Sequence, residues 1–100
     1  MRDELKILGT RLIDAAETRT PDGDGYIRLI NENFPINGLE FYVTGTIDFD
    51  EQIEGDTHDT PGYYERNVSG ADIVVFLQTD EDCVEIAKDD LDFLIKFVTR

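Results

Sequence analysis

The chain has 100 residues, enough for a single domain with a modest core and too few to enclose a large cofactor. Its 23 Asp and Glu against 9 Lys and Arg give a net charge of −14, which argues against direct binding to nucleic acid or an anionic membrane and favours basic partners or cations. A hydrophobic content of 40% still points to a folded protein rather than a disordered one.

Cys83 is the only cysteine, so no intramolecular disulfide can form, which fits a reducing cytoplasm. The opening MRDELKILG is charged and has no apolar stretch of signal-peptide type. No apolar run approaches the roughly 18 residues that span a membrane. A soluble, cytoplasmic protein is expected.

Arg2–Thr18 reads as a helix, with Leu5, Leu8, Leu12 and Ala15 or Ala16 at three- and four-residue spacing and Ile13 at the edge of the stripe. Asp3 and Glu4 lie in its first turn, where the helix dipole favours them. Pro21 enforces its end, and Gly9 weakens its middle by about 1 kcal/mol relative to alanine. Pro21–Gly25 is a loop, Tyr26–Ile30 a short strand in preference to the first turn of a helix running to Phe34, and Asn33–Gly38 a turn-rich segment in which Asn37–Gly38 is a hairpin signal.

Leu39–Asp59 organises the rest of the chain. Phe41, Val43, Gly45, Ile47 and Phe49 alternate with Tyr42, Thr44, Thr46 and Asp48, the period of a half-buried strand. Beyond Phe49 the reading is an acidic loop that holds Asp50, Glu51, Glu54, Asp56 and Asp59. No Lys or Arg occurs between Leu29 and Glu65. Pro61–Gly62 is a turn, and the YYERNVSG segment adds a few strand residues. Ala71–Thr79 is a clear strand whose apolar run Ile73–Leu77 predicts a central position covered on both faces. Asp80–Asp82 turns into a return strand, Cys83–Ile86, and Ala87–Val98 is a helix with Leu91, Leu94, Ile95 and Val98 inward. The expected fold is α+β: an antiparallel sheet of three to four strands, with the N- and C-terminal helices packed on one face.

Catalytic patterns are absent. There is no G-x-S-x-G, H-E-x-x-H, P-loop or G-x-G-x-x-G, and carboxylates are too abundant for any pair to stand out. His58, the only histidine, sits between Asp56 and Asp59 with no nucleophile nearby. Cys83 at a strand start is read as a buried, inert thiol rather than the partner of His58. No enzyme activity and no cofactor are expected.

A calcium loop is the weak metal candidate. Thr20–Asn31 puts Asp22 and Asp24 at the third and fifth positions of an EF-hand-like loop and Gly25 at the sixth, after a helix. Thr20 stands where the first aspartate belongs and Asn31 where the bidentate glutamate belongs, so a polar, glycine-rich loop is the better reading. The strand-to-loop acids Asp48–Asp59 are rich in oxygen but lack the D-x-D-x-D-G order, which leaves diffuse cation binding at most.

The acidic surface itself is the stronger lead. On a strand, Asp48 and Asp50 point the same way about 7 Å apart, and DNA offers one phosphate per roughly 3.4 Å of axis on each strand. A second cluster, Asp80, Glu81, Asp82, Glu85, Asp89, Asp90 and Asp92, has only Lys88 as counter-charge, and joins the first if both lie at one end of the sheet. Solubility and helix N-terminal charge are the plain alternative for both.

Small size, strong acidity, the lack of a catalytic set, and aromatics near the acids (Tyr42, Phe49, Tyr63, Tyr64) together resemble small phage-encoded DNA mimics. The ending VEIAKDDLDFLIKFV is also similar to endings of small phage proteins. The resemblance is one of composition, so it assigns no residue a role. It implies an inhibitor that occupies the Lys/Arg channel of a nucleic-acid-binding protein. The expected partner-binding residues are Asp48, Asp50, Glu51, Glu54, Asp56 and Asp59 for charge, with Tyr63 and Tyr64 for contact area. The alternatives are a small structural or assembly subunit, marked by an uncovered apolar patch at the outer positions of Ala71–Thr79, and a weak calcium-binding module.

Overall fold

The computed structural model describes residues 2–54 and 63–99, without the side chains of 52–54 and 63–65. The amphipathic stripe of the N-terminal segment forms helix α1, Arg2–Thr18. Leu5, Leu8, Leu12 and Ala16 on that stripe are fully buried, and each leucine so placed stabilises the fold by about 1.5–3 kcal/mol. Four antiparallel strands follow: β1 Tyr26–Ile36, β2 Leu39–Glu54, β3 Tyr63–Gln78 and β4 Cys83–Glu85. They lie side by side in chain order, so the sheet is a simple meander. Helix α2, Lys88–Thr99, closes the chain and packs against α1 and β3.

The two helices cover one face of the sheet, and the α+β class and the helix placement agree with the sequence reading. Beneath them lie Ile27, Leu29, Phe34, Phe41, Val43 and Ile47, with Ile73 and Val75 of β3. Arg2 sits beside Asp90 and over the Phe93 ring, and Gly9 faces Leu94 and Phe97, so α1 and α2 run the same way. Gly9 is therefore a close-approach residue rather than a mere weak point, because a methyl group there would overlap the Phe97 ring.

Several boundaries differ from the sequence reading. The strand placed at Tyr26–Ile30 runs on to Ile36, through a register shift between Leu29 and Glu32 where Asn31 takes φ 44°. The bulge breaks the period-two signal, which is why the second half reads as a turn. Only Asn37–Gly38 turns, both residues at positive φ as a tight hairpin requires. Strand β2 passes Phe49 and continues to Glu54, and β3 begins at Tyr63 rather than Ala71. A second register shift lies between Asp48 and Phe49, where Ser69 is the extra residue on β3.

Two burial expectations are corrected. Strand β3 is central but covered on one face only: Ile73 and Val75 are buried, whereas Val74 stays 40% exposed. Cys83 is an exposed thiol on the short edge strand β4, not a buried one, because no element packs over the end of that strand.

Candidate protein interaction surface

Pairing across the strands fixes which residues share the uncovered face. Tyr26, Asp48 and Gly70 form one row, and Arg28, Thr46 and Asp72 the next. Thr44 pairs with Val74, and then Asn33, Tyr42, Phe76 and Glu85 cross all four strands. Glu40 and Gln78 follow toward the Asn37–Gly38 end, and Asp50 with Asn67 toward the other. Glu40, Asp48, Asp50, Asp72 and Glu85 are all exposed. Arg28 is the one cation of this face among the described strand side chains.

The remaining strand charges on described side chains are neutralised on the other side of the sheet. Arg19, just after α1, makes a two-pronged ion pair with Glu32, one prong at 2.8 Å. The Arg19 hydrogen bond holds the Glu32 carboxyl below the ordinary carboxylate range, against the weaker upward pull of partial burial. Arg66 lies 3.1 Å from Glu51 and donates to the main-chain carbonyls of Ala16 at 3.2 Å and Arg19 at 2.8 Å. Thus Glu51 and Glu32 are balanced, and the strand carboxylates left uncompensated among the described side chains are those on the outer face.

The residues expected to bind a partner divide accordingly. Asp48 and Asp50 stand exposed on β2, on one face as the spacing predicts, and the strand includes Asp50, which the sequence reading put in the acidic loop. Glu51 is turned toward Arg66. Glu54, Tyr63 and Tyr64 lie on β2 and β3, and their side chains fall outside the described ones. Asp56, His58 and Asp59 lie outside the described residues.

Asp48 and Asp50 lie away from the Asp80–Asp82 turn. Glu40 pairs with Gln78, which puts the Asp80–Asp82 turn beside the β1–β2 hairpin, whereas Asp48 pairs with Gly70, eight residues back along β3. At about 3.4 Å per residue the two are roughly 27 Å apart. Tyr42, Val74 and Phe76 lie between them. Tyr42 is not among the expected partner-binding residues, and the outer positions of Ala71–Thr79 are named only as the mark of an assembly subunit; Val74 is one of those outer positions and is exposed.

The glycine-rich loop folds onto β2. Asp22 accepts a 2.6 Å hydrogen bond from the Arg28 N–H, and the Gly25 carbonyl accepts one of 2.8 Å from the Phe49 N–H. A strand, not a helix, follows Gly25. Asp24, Asp50 and Glu51 line an open cleft of about 420 Å³ with Pro21 and Phe49. Among the described residues no three His, Cys, Asp or Glu side chains gather as a metal site. Among the described residues no helix is long and apolar enough to cross a membrane.

Compared with protein-family models, curated proteins and solved structures, the chain matches none.

Proposed function

We propose that this protein is a non-enzymatic acidic binding protein that engages a basic protein surface, in particular the nucleic-acid channel of a DNA- or RNA-binding protein, which it inhibits. The observation that supports this reading is the charge asymmetry of the sheet: among the described strand side chains, Glu40, Asp48, Asp50, Asp72 and Glu85 share the uncovered face with a single cation, Arg28. Carboxylates on a rigid sheet attract a cationic channel at long range, quickly and in a salt-dependent manner. The reading includes a cytoplasmic location and, from the resemblance in composition, a phage-type inhibitor of host defence.

A pull-down from bacterial lysate with the tagged protein, washed at low and then at high salt, tests it. The expected result is recovery of a basic nucleic-acid-binding protein that elutes with salt and is not recovered by the Asp48→Lys/Asp50→Lys variant. Recovery of the same protein by that variant, with the same salt dependence, would remove this face from the interaction.

A second reading, a small assembly subunit, is favoured by Val74, 40% exposed beside the partly exposed Phe76 on the same face. It predicts concentration-dependent oligomers in light scattering, or partners that resist high salt.

A further inference from the structure

We infer that the centre of the uncovered sheet face, around the cross-strand pair Tyr42–Phe76, is the docking platform, and that it takes a basic protein surface in which arginines are interleaved with apolar side chains. The inference rests on the reading of the chain as an acidic binding protein and adds where the partner sits and what it must carry besides charge.

Tyr42 and Phe76 are directly paired, and Val74 follows on the same face of β3, paired with Thr44. Tyr42, Val74 and Phe76 form an apolar strip on the side away from both helices. Carboxylates flank it: Glu40 toward the Asn37–Gly38 hairpin, Glu85 beside Phe76 in the same row on β4, and Asp72 and then Asp48 toward the other end. An apolar centre with a charged rim is the anatomy of a protein interface. The rim sets the sign of the occupant. A second copy would bring Glu40, Asp72 and Glu85 against their own like, at −14 per chain, whereas a cationic partner is attracted by each of them. Arginine suits the centre better than lysine, because its planar guanidinium stacks on aromatic rings and pairs with carboxylates two-pronged.

The test is a titration of the full ¹⁵N-labelled chain with two synthetic peptides of equal length and charge. One has arginines interleaved with tyrosine and leucine, the other only lysine and serine. The expected result is amide shift changes centred on Tyr42, Thr44, Val74 and Phe76 with the arginine peptide. It should also bind about tenfold more weakly to Val74→Ser and Phe76→Ser, while the lysine peptide is indifferent to both. Val74→Ser keeps the test valid if Phe76→Ser unfolds, since Val74 is not part of the core. Shift changes confined to Asp48–Glu51, equal for the two peptides, would overturn the platform and leave the acidic-surface reading standing. Binding of neither peptide would overturn both. Line broadening across Tyr42 and Phe76 with protein concentration alone would identify a second copy as the occupant and overturn the choice of partner.

Discussion

The guanidinium of Arg66 lies 4.8 Å from the centre of the Phe49 ring. From that perch it reaches the last turn of α1, where it donates to the carbonyls of Ala16 and Arg19. Helix α1 has no basic residue in its own last turn, so the cation that offsets its C-terminal partial charge comes from β3, across the fold. Arg66→Met keeps the apolar stem and removes the donors. With the side chain only 19% exposed, the expected cost is about 2 kcal/mol, read as a lower urea midpoint. Arg66→Lys should recover less than half of this, because one ammonium cannot serve the carbonyls, Glu51 and the ring together. An Arg66→Met midpoint equal to wild type would show that solvent serves these carbonyls equally well.

Gly45 is more tightly enclosed than Gly70, the other glycine within a strand. It has φ 142°, and a methyl group there would collide with the Asp72 carbonyl on the neighbouring strand. Glycine alone lets β2 and β3 approach at this row, opposite Leu29 on β1. Gly45→Ala combines backbone strain with steric overlap and should cost about 3 kcal/mol. Gly38→Ala, at φ 81° but with open space around it, should cost only about 1 kcal/mol. Thermal unfolding of the two variants measures the difference, and equal losses would mean the sheet yields at Gly45.

The Arg19–Glu32 pair predicts a definite pH dependence. The Glu32 pKa is lowered in the folded chain, so its contribution is present above the unfolded carboxylate value and is lost as pH falls through the folded one. Glu32 and Arg19 are 31% and 39% exposed, so solvent screening limits the contribution to about 0.5–1 kcal/mol. Overall stability is a poor readout, because acid also relieves the repulsion of a chain at −14. The difference between wild type and Glu32→Gln isolates the pair: it should be present at neutral pH and vanish once pH has fallen below the lowered folded pKa of Glu32. A difference that persists at low pH would assign the effect to packing instead.

Most of the layer plan is legible in the residues. The Leu5–Leu8–Leu12 stripe, the alternation from Phe41 to Phe49, Asn37–Gly38 and the leucine face of the last helix each name their element through local periodicity. What is not legible is non-local. The bulge at Asn31 shifts the alternation of β1, and the acids after Phe49 mask a strand that pairing with β3 holds in place. The run Ile73–Leu77 reads as two-sided burial, because sequence carries no information about whether a second layer exists. Likewise Asp48 and Asp50 are visible as a same-face pair, but their separation from the Asp80–Asp82 turn follows only from the register that sets Glu40 against Gln78.

Asp48 and Asp50 give the prediction that separates a functional surface from a merely structural one. Neither has an ion-pair partner among the described residues, and they share a face with Asp72 and Glu85. Like charges on one sheet face repel, so Asp48→Asn and Asp50→Asn should each raise stability by a few tenths of a kcal/mol at low ionic strength. The gain should disappear at about 0.5 M salt, where screening extends over only a few ångströms. Thermal unfolding at the two salt concentrations measures this. The same variants should weaken association with a cationic partner, chiefly through a slower on-rate. Stability gained together with association lost would mean the carboxylates serve binding at a cost to the fold. A loss of stability in either variant would instead make that carboxylate part of what holds β2 in place.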